Sequence, residues 1–133
     1  MTDRRRLSLF AVVVSAVLAA LTVGGCGFGA GEPPGKTSLR VTKDFGSVPM
    51  IDTDHPKTSG SETVMRLLER NATSVNTRYG GGFVQAIDGA AGGVRGGRSV
   101  DWFFYVNGYI SDKGAASVEV HPADRIWWDL RDW

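Results

Sequence analysis

The sequence predicts an α+β domain behind an export segment, with one amphipathic helix packed on a small mixed β-sheet that ends in a C-terminal β-meander. Three observations point there. Alternating apolar residues open and close the region 38–133, a stretch between them has helical spacing, and the last third is dense in aromatic and β-branched residues. A chain of 133 residues accommodates one such domain.

Residues 1–25 read as a signal peptide. Arg4-Arg5-Arg6 precedes the apolar run LSLFAVVVSAVLAALTV (Leu7–Val23), then Gly24-Gly25 and Cys26. The arginines hold the cytoplasmic side, the apolar run enters the bilayer, and the small residues admit a peptidase. The competing reading is a permanent transmembrane helix, for which about 17 residues is short of the roughly 20 needed. Val23-Gly24-Gly25-Cys26 resembles the bacterial lipobox, with valine where leucine is commoner. That resemblance implies a diacylglycerol on the Cys26 sulfur. Cys26 is the single cysteine, so no intrachain disulfide forms, and a thiol at a chain terminus with no histidine nearby is a poor nucleophile. Two acyl chains anchor stably where one is marginal. The expected location is the extracytoplasmic face of the cell membrane, with the membrane as partner through Cys26.

Residues 26–37 then form a tether, because GFGAGEPPGKT (Gly27–Thr37) is rich in glycine and proline and lacks apolar periodicity. The folded domain is expected over 38–133. In the whole chain 15 basic residues nearly cancel 14 acidic ones, which disfavours nucleic acid as a partner.

Within the domain, SLRVTKD (Ser38–Asp44) reads as a half-buried strand with Leu39 and Val41 on one face and Arg40 and Thr42 on the other. Phe45–Gly60 has no period and contains Pro49 and Pro56, so it reads as loop. Ser59 and Glu62 fit a capping box that opens a helix over about Gly60–Asn71. Val64, Leu67 and Leu68 face the core of that helix, and Glu62 stands four residues before Arg66. Phe83–Ile87 is a short strand. Asp88–Arg98 reads as a flexible glycine loop, and it lacks any phosphate-binding pattern.

Asp101–Val106 is a strand, and Asn107-Gly108 is a strong hairpin signal because both central positions of a type I′ turn need positive φ. Tyr109-Ile110 begins the return, Ser117–Val120 forms another strand, and His121–Asp124 turns. Arg125–Asp132 closes the domain with Ile126, Trp128 and Leu130 alternating against Arg125, Trp127 and Asp129. If Trp102, Phe104 and Val106 join Ile126, Trp128 and Leu130 beneath the helix, the opposite face carries Phe103, Tyr105 and Trp127 among charges. Such a face binds sugars, flat heterocycles or protein partners. Phe103, Tyr105 and Trp127, with Asn107 at the adjoining turn, are therefore the candidate ligand-binding residues. The alternative is that Asp88–Arg98 or Phe45–Gly60 packs over this face and makes it a second small core.

Trp102-Phe103-Phe104-Tyr105-Val106-Asn107-Gly108 and Ala123-Asp124-Arg125-Ile126-Trp127-Trp128, together with the helix after the first strand, resemble the transcobalamin-like C-terminal domain. Ala123 stands where that family usually has glycine. The resemblance covers residues 38–133 and implies a small β-grasp-like fold of mostly unknown function. In transporters of this kind a related domain is one half of a cobalamin-binding pair, and the helical partner domain has no room in this chain. Shared fold does not carry function.

Enzyme chemistry is not expected and no catalytic residue is assigned. The two histidines, His55 and His121, are far apart, and Asp52-Thr53-Asp54-His55 is too sparse a set for a metal site. No cofactor is assigned. The functional expectation is a monomeric, membrane-anchored module that binds a small ligand such as a corrinoid or glycan. The alternative is an interaction or envelope-structure module that docks another protein.

Overall fold

The computed structural model describes residues 36–133; the expected signal peptide, Cys26 and the expected tether as far as Gly35 lie outside the described residues. The chain runs β1 (Ser38–Lys43), β2 (Val48–Thr53), β3 (Glu62–Thr63), α1 (Val64–Asn71), β4 (Val75–Arg78), β5 (Phe83–Ile87), β6 (Ala90–Ala91) and β7 (Gly93–Arg95). It continues through β8 (Arg98–Val106), β9 (Tyr109–Ile110), β10 (Glu119–Val120) and β11 (Arg125–Asp132). The architecture is α+β: one helix, a mixed six-stranded sheet and two small sheets.

The main sheet has the order β2-β1-β11-β8-β7, with β9 paired to the other end of β8. Its centre is a parallel pair, β1 beside β11, in which Ser38 pairs with Arg125 and Leu39 with Ile126. The first and last strands of the domain are thus neighbours. The alternation in β11 decides the rest. Ile126, Trp128 and Leu130 are buried on one face, where they meet Trp102 and Phe104 of β8 and Leu39 and Val41 of β1. Helix α1 closes this core with Val64, Met65, Leu67 and Leu68, while Arg66, Glu69 and Arg70 face water. Phe104 and Trp128 pack within the core with ring centroids 4.9 Å apart and planes tilted by 31°.

The structure departs from the sequence reading at several places. The expected loop Phe45–Gly60 contains β2, an edge strand on β1. Pro49 is tolerated there because the pairing shifts register opposite Val41/Thr42 and an edge strand can spare a donor. The glycine stretch Asp88–Arg98 holds β6 and β7 rather than an open loop, with Gly96 and Gly97 both at positive φ turning β7 into β8. Strand β4 was not anticipated. Helix α1 starts four residues later than expected, because Glu62–Thr63 pairs as a strand with β10 and the N-cap is Thr63, whose hydroxyl accepts from the Arg66 amide at 3.4 Å. Ser59 does bond Glu62, through its amide and its hydroxyl, both at 3.3 Å. Glu62 pairs with Arg70 at 2.7 Å rather than with Arg66, which meets Glu69. In the expected strand Ser117–Val120, Ser117 ends a 3₁₀ turn and Val118 is a connector. Glu119–Val120 is the strand β10, but it pairs with β3 and not with the main sheet, so the expected C-terminal meander is interrupted. Thr42 and Asp129, expected on the solvent face, are fully buried.

Candidate ligand-binding face

Strands β8 and β11 are antiparallel, with Tyr105 opposite Trp127 and Phe103 opposite Asp129. Residues two apart share a face, so the pairing gathers Phe103, Tyr105, Trp127, Asp129 and Arg131 on the side away from α1. Tyr105 and Trp127 stack with centroids 4.7 Å apart and planes 23° from parallel. Arg131 lies over the Phe103 ring at 4.4 Å and over the Phe45 ring at 5.3 Å. Its Nε donates to the Tyr105 hydroxyl at 3.2 Å. A guanidinium held between two aromatic rings keeps its charge beside an apolar surface.

A buried network fixes this arrangement from beneath. Trp127 Nε1 donates to Thr42 Oγ1 at 2.7 Å, and Thr42 donates on to Asp129 Oδ1 at 2.6 Å. The Asp129 carboxylate also accepts from the Phe45 and Gly46 amides, at 3.0 and 3.1 Å. Asp44, Phe45 and Gly46 all have positive φ, a conformation costing a non-glycine residue on the order of 1 kcal/mol. Consecutive amides converging on one buried carboxylate offset that strain. The strained turn sets Phe45 beside Arg131 and brings Gly46 against the Trp127 ring.

The turn buries Thr42 and Asp129 completely and lays Phe45 against Arg131, but it leaves the rest of the aromatic face partly open. Phe103, Tyr105, Trp127 and Arg131 remain half-buried, and Phe45 is 63% exposed. An ion pair, Arg40 with Asp52 at 3.8 Å, and a hydrogen bond donated by Trp133 Nε1 to Asp101 at 2.7 Å border the face. Three of the four residues singled out from the sequence are therefore brought together. Asn107 sits at the hairpin, where its amide donates to Asp124 at 2.8 Å and accepts from the Arg125 amide at 2.9 Å, a bracing role for the turn. Sequence reasoning missed Arg131 and Phe45. The period-2 pattern of β11 puts Arg131 on the Trp127 face, but nothing local announced that Phe45 would fold over it.

The opposite side of β8 has a recess of about 290 Å³ lined by Phe83, Trp102, Phe104 and Trp128 and closed by residues 111–115. Trp128 Nε1 is buried and has no hydrogen-bond partner among the described residues. The histidines do not form a catalytic pair. His55 is 2.7 Å from Lys36 Nζ, and His121 lies 3.6 Å from Asp124. Among the described residues no three of His, Cys, Asp and Glu gather as metal ligands, and no helix is long and apolar enough to cross a membrane.

Residues 61–132, from the helix approach through β11, match the family model for a domain of unknown function, DUF4430. The chain belongs to the DUF4430 family. No curated protein matches it. Among solved structures, this DUF4430 chain is similar to the crystal structure of a proposed metal-binding protein from Ruminococcus gnavus, with a TM-score of 0.54 and 13% identity. The alignment covers 74% of this chain and 98% of that one. At that identity the likeness is one of fold.

Proposed function

We propose that the protein is a membrane-anchored extracytoplasmic lipoprotein whose DUF4430 domain binds a small ligand, without catalysis, on the face formed by Phe103, Tyr105 and Trp127. The observation that carries this is the partly exposed Tyr105–Trp127 stack beside a guanidinium held between Phe45 and Phe103. Such a surface takes a ring on its apolar part and an acceptor or anionic group on Arg131. The Tyr105 hydroxyl accepts from Arg131, and its own proton remains available for a bound molecule. The resemblance to the transcobalamin-like, β-grasp-like domain makes a corrinoid the first ligand to test and a glycan the second. The lipobox-like Val23–Cys26 supports the lipid anchor.

A second reading is favoured by the residue types on the face. Tryptophan, tyrosine and arginine are those that carry protein–protein hot spots, so the face suits an envelope protein as well. Equilibrium dialysis of the mature protein against cobalamin, cobinamide and a glycan panel separates the two. Saturable binding that Trp127→Ala abolishes in a folded protein supports ligand capture. Absence of binding to every compound leaves partner docking as the reading to pursue.

A further inference from the structure

The chain enters the domain at one pole, and that pole has its own chemistry. Because β1 and β11 are parallel, Ser38 and Arg125 lie side by side, and the Ser38 amide donates to the Asp124 carbonyl at 3.0 Å. The Asn107-Gly108 turn is bonded to the same point, the Asn107 amide donating to the Arg125 carbonyl at 2.9 Å. The adjoining strand β9 thus presents Tyr109 and Ile110 at the end where the tether arrives. These side chains are 80% and 53% exposed, an aromatic and a branched aliphatic at a hairpin tip with nothing folded over them. At the same end stand the exposed Arg125, next to Asp124, and the exposed Lys36, grouped with His55, Pro122 and Ala123. The exposed carboxylates nearest in the chain are Asp54 beside His55, Asp112 two residues after Ile110 and Glu119 two before His121.

We propose that this pole rests on the phospholipid surface, with Tyr109 and Ile110 inserted at the headgroup–acyl boundary and Lys36 and Arg125 facing lipid phosphates. The inference rests on the proposed acylation of Cys26. Residues 27–36 separate that cysteine from the domain, and ten residues reach at most about 36 Å. The proposed acyl chains would therefore tether the domain through this pole and not through the distant end of β8. At such a separation a contact too weak to bind free protein becomes intramolecular, at an effective concentration in the millimolar range. Tyrosine and an aliphatic neighbour flanked by cations suit the interface between headgroups and hydrocarbon. With the strands rising from the membrane, the Phe103–Tyr105–Trp127 face stays open at the side.

The test uses the full acylated protein in vesicles of phosphatidylethanolamine and phosphatidylglycerol. Because Cys26 is consumed by the lipid, Ile110→Cys or Val94→Cys supplies the one free thiol for a nitroxide. Val94 is 75% exposed on β7, and its partner Ser99 is six residues along β8 from Tyr105, the partner of Ile110. That separation is about 20 Å. Expected is a ratio of oxygen to nickel-chelate accessibility at 110 at least about fivefold that at 94, falling toward the value at 94 when Tyr109→Ser and Arg125→Glu are added. An acylated protein whose two labels are equally open to the chelate overturns the docking alone. A protein whose intact mass lacks the diacylglycerol, and which does not float with vesicles, overturns the anchor and the docking with it.

Discussion

Asp129 shows how one buried residue organises a surface. Its carboxylate has no exposure and accepts from two backbone amides of a strained turn and from Thr42, which in turn receives the Trp127 indole proton. Removing the acceptor leaves those amides unpaired while the positive φ values of Asp44 and Phe45 remain to be offset. Asp129→Ala is expected to cost about 2–3 kcal/mol in urea unfolding. It should also loosen Phe45, so Trp127 fluorescence should become more accessible to quencher in the folded protein. Unchanged stability would mean that the turn holds itself. Glu62 offers a pH test. Burial pushes its carboxyl up, but hydrogen bonds from Arg70, Thr58 and the Ser59 amide, with the Arg70 charge, outweigh this and hold it below its usual value of 4.5. A depressed folded value means that the unfolded chain binds the proton more readily. The contribution is therefore present above about 4.5 and is lost as the pH falls through the lower folded value. Glu62→Gln should be less stable than the parent by about 1 kcal/mol at neutral pH, because Arg70 is half exposed, and the gap should close in acid. A gap that persists in acid would show that the charge plays no part.

At the scale of elements, glycine positions separate turn chemistry from close approach. Gly108 has φ +87° with open space around it, so Gly108→Ala should cost only the left-handed strain, about 1 kcal/mol. Gly92 has an ordinary φ, but a Cβ there would lie 2.8 Å from the Val100 carbonyl oxygen, where β6 gives way to β7 against β8. Gly92→Ala must move a backbone strand and should cost more than Gly108→Ala when the two are unfolded side by side. The reverse order would show that the β7 edge yields freely. These elements also mark where the sequence was legible. Strands β1, β5, β8 and β11, the core face of α1 and the Asn107-Gly108 hairpin carry their signals within themselves, as period-2 or 3.6 patterns or a turn dipeptide. Strand β2 hid behind Pro49 because its pairing depends on a register shift in β1. Strands β6 and β7 hid in a glycine run whose positive φ values serve turns, and β3 was taken into the helix because its partner lies more than fifty residues away in β10. Each miss is a non-local pairing of a short segment with little pattern of its own.

At the scale of the whole molecule, one sheet carries a structural face and a presenting face, and adjacent tryptophans sample them. Trp128 is 1% exposed beneath α1 with Phe104, whereas Trp127 is half-buried on the other side with Tyr105. Truncating Trp128 empties the centre of the core, a loss of about 3–5 kcal/mol in a domain whose total stability is on the order of 5–15. Trp127→Ala gives up the stack and the bond to Thr42, worth about 1–2 kcal/mol. At roughly 4–8 °C per kcal/mol for a domain of this size, calorimetry should find Trp128→Ala melting about 12–40 °C below the parent and Trp127→Ala only about 4–16 °C below it, the first loss clearly the larger when the two are compared side by side. That ordering is what the proposed binding surface requires, since its residues would then contribute less to the fold than those of the core. Equal losses would instead show that Phe45, Arg131 and Trp127 make a second core, and the proposed site on this face would fall with them.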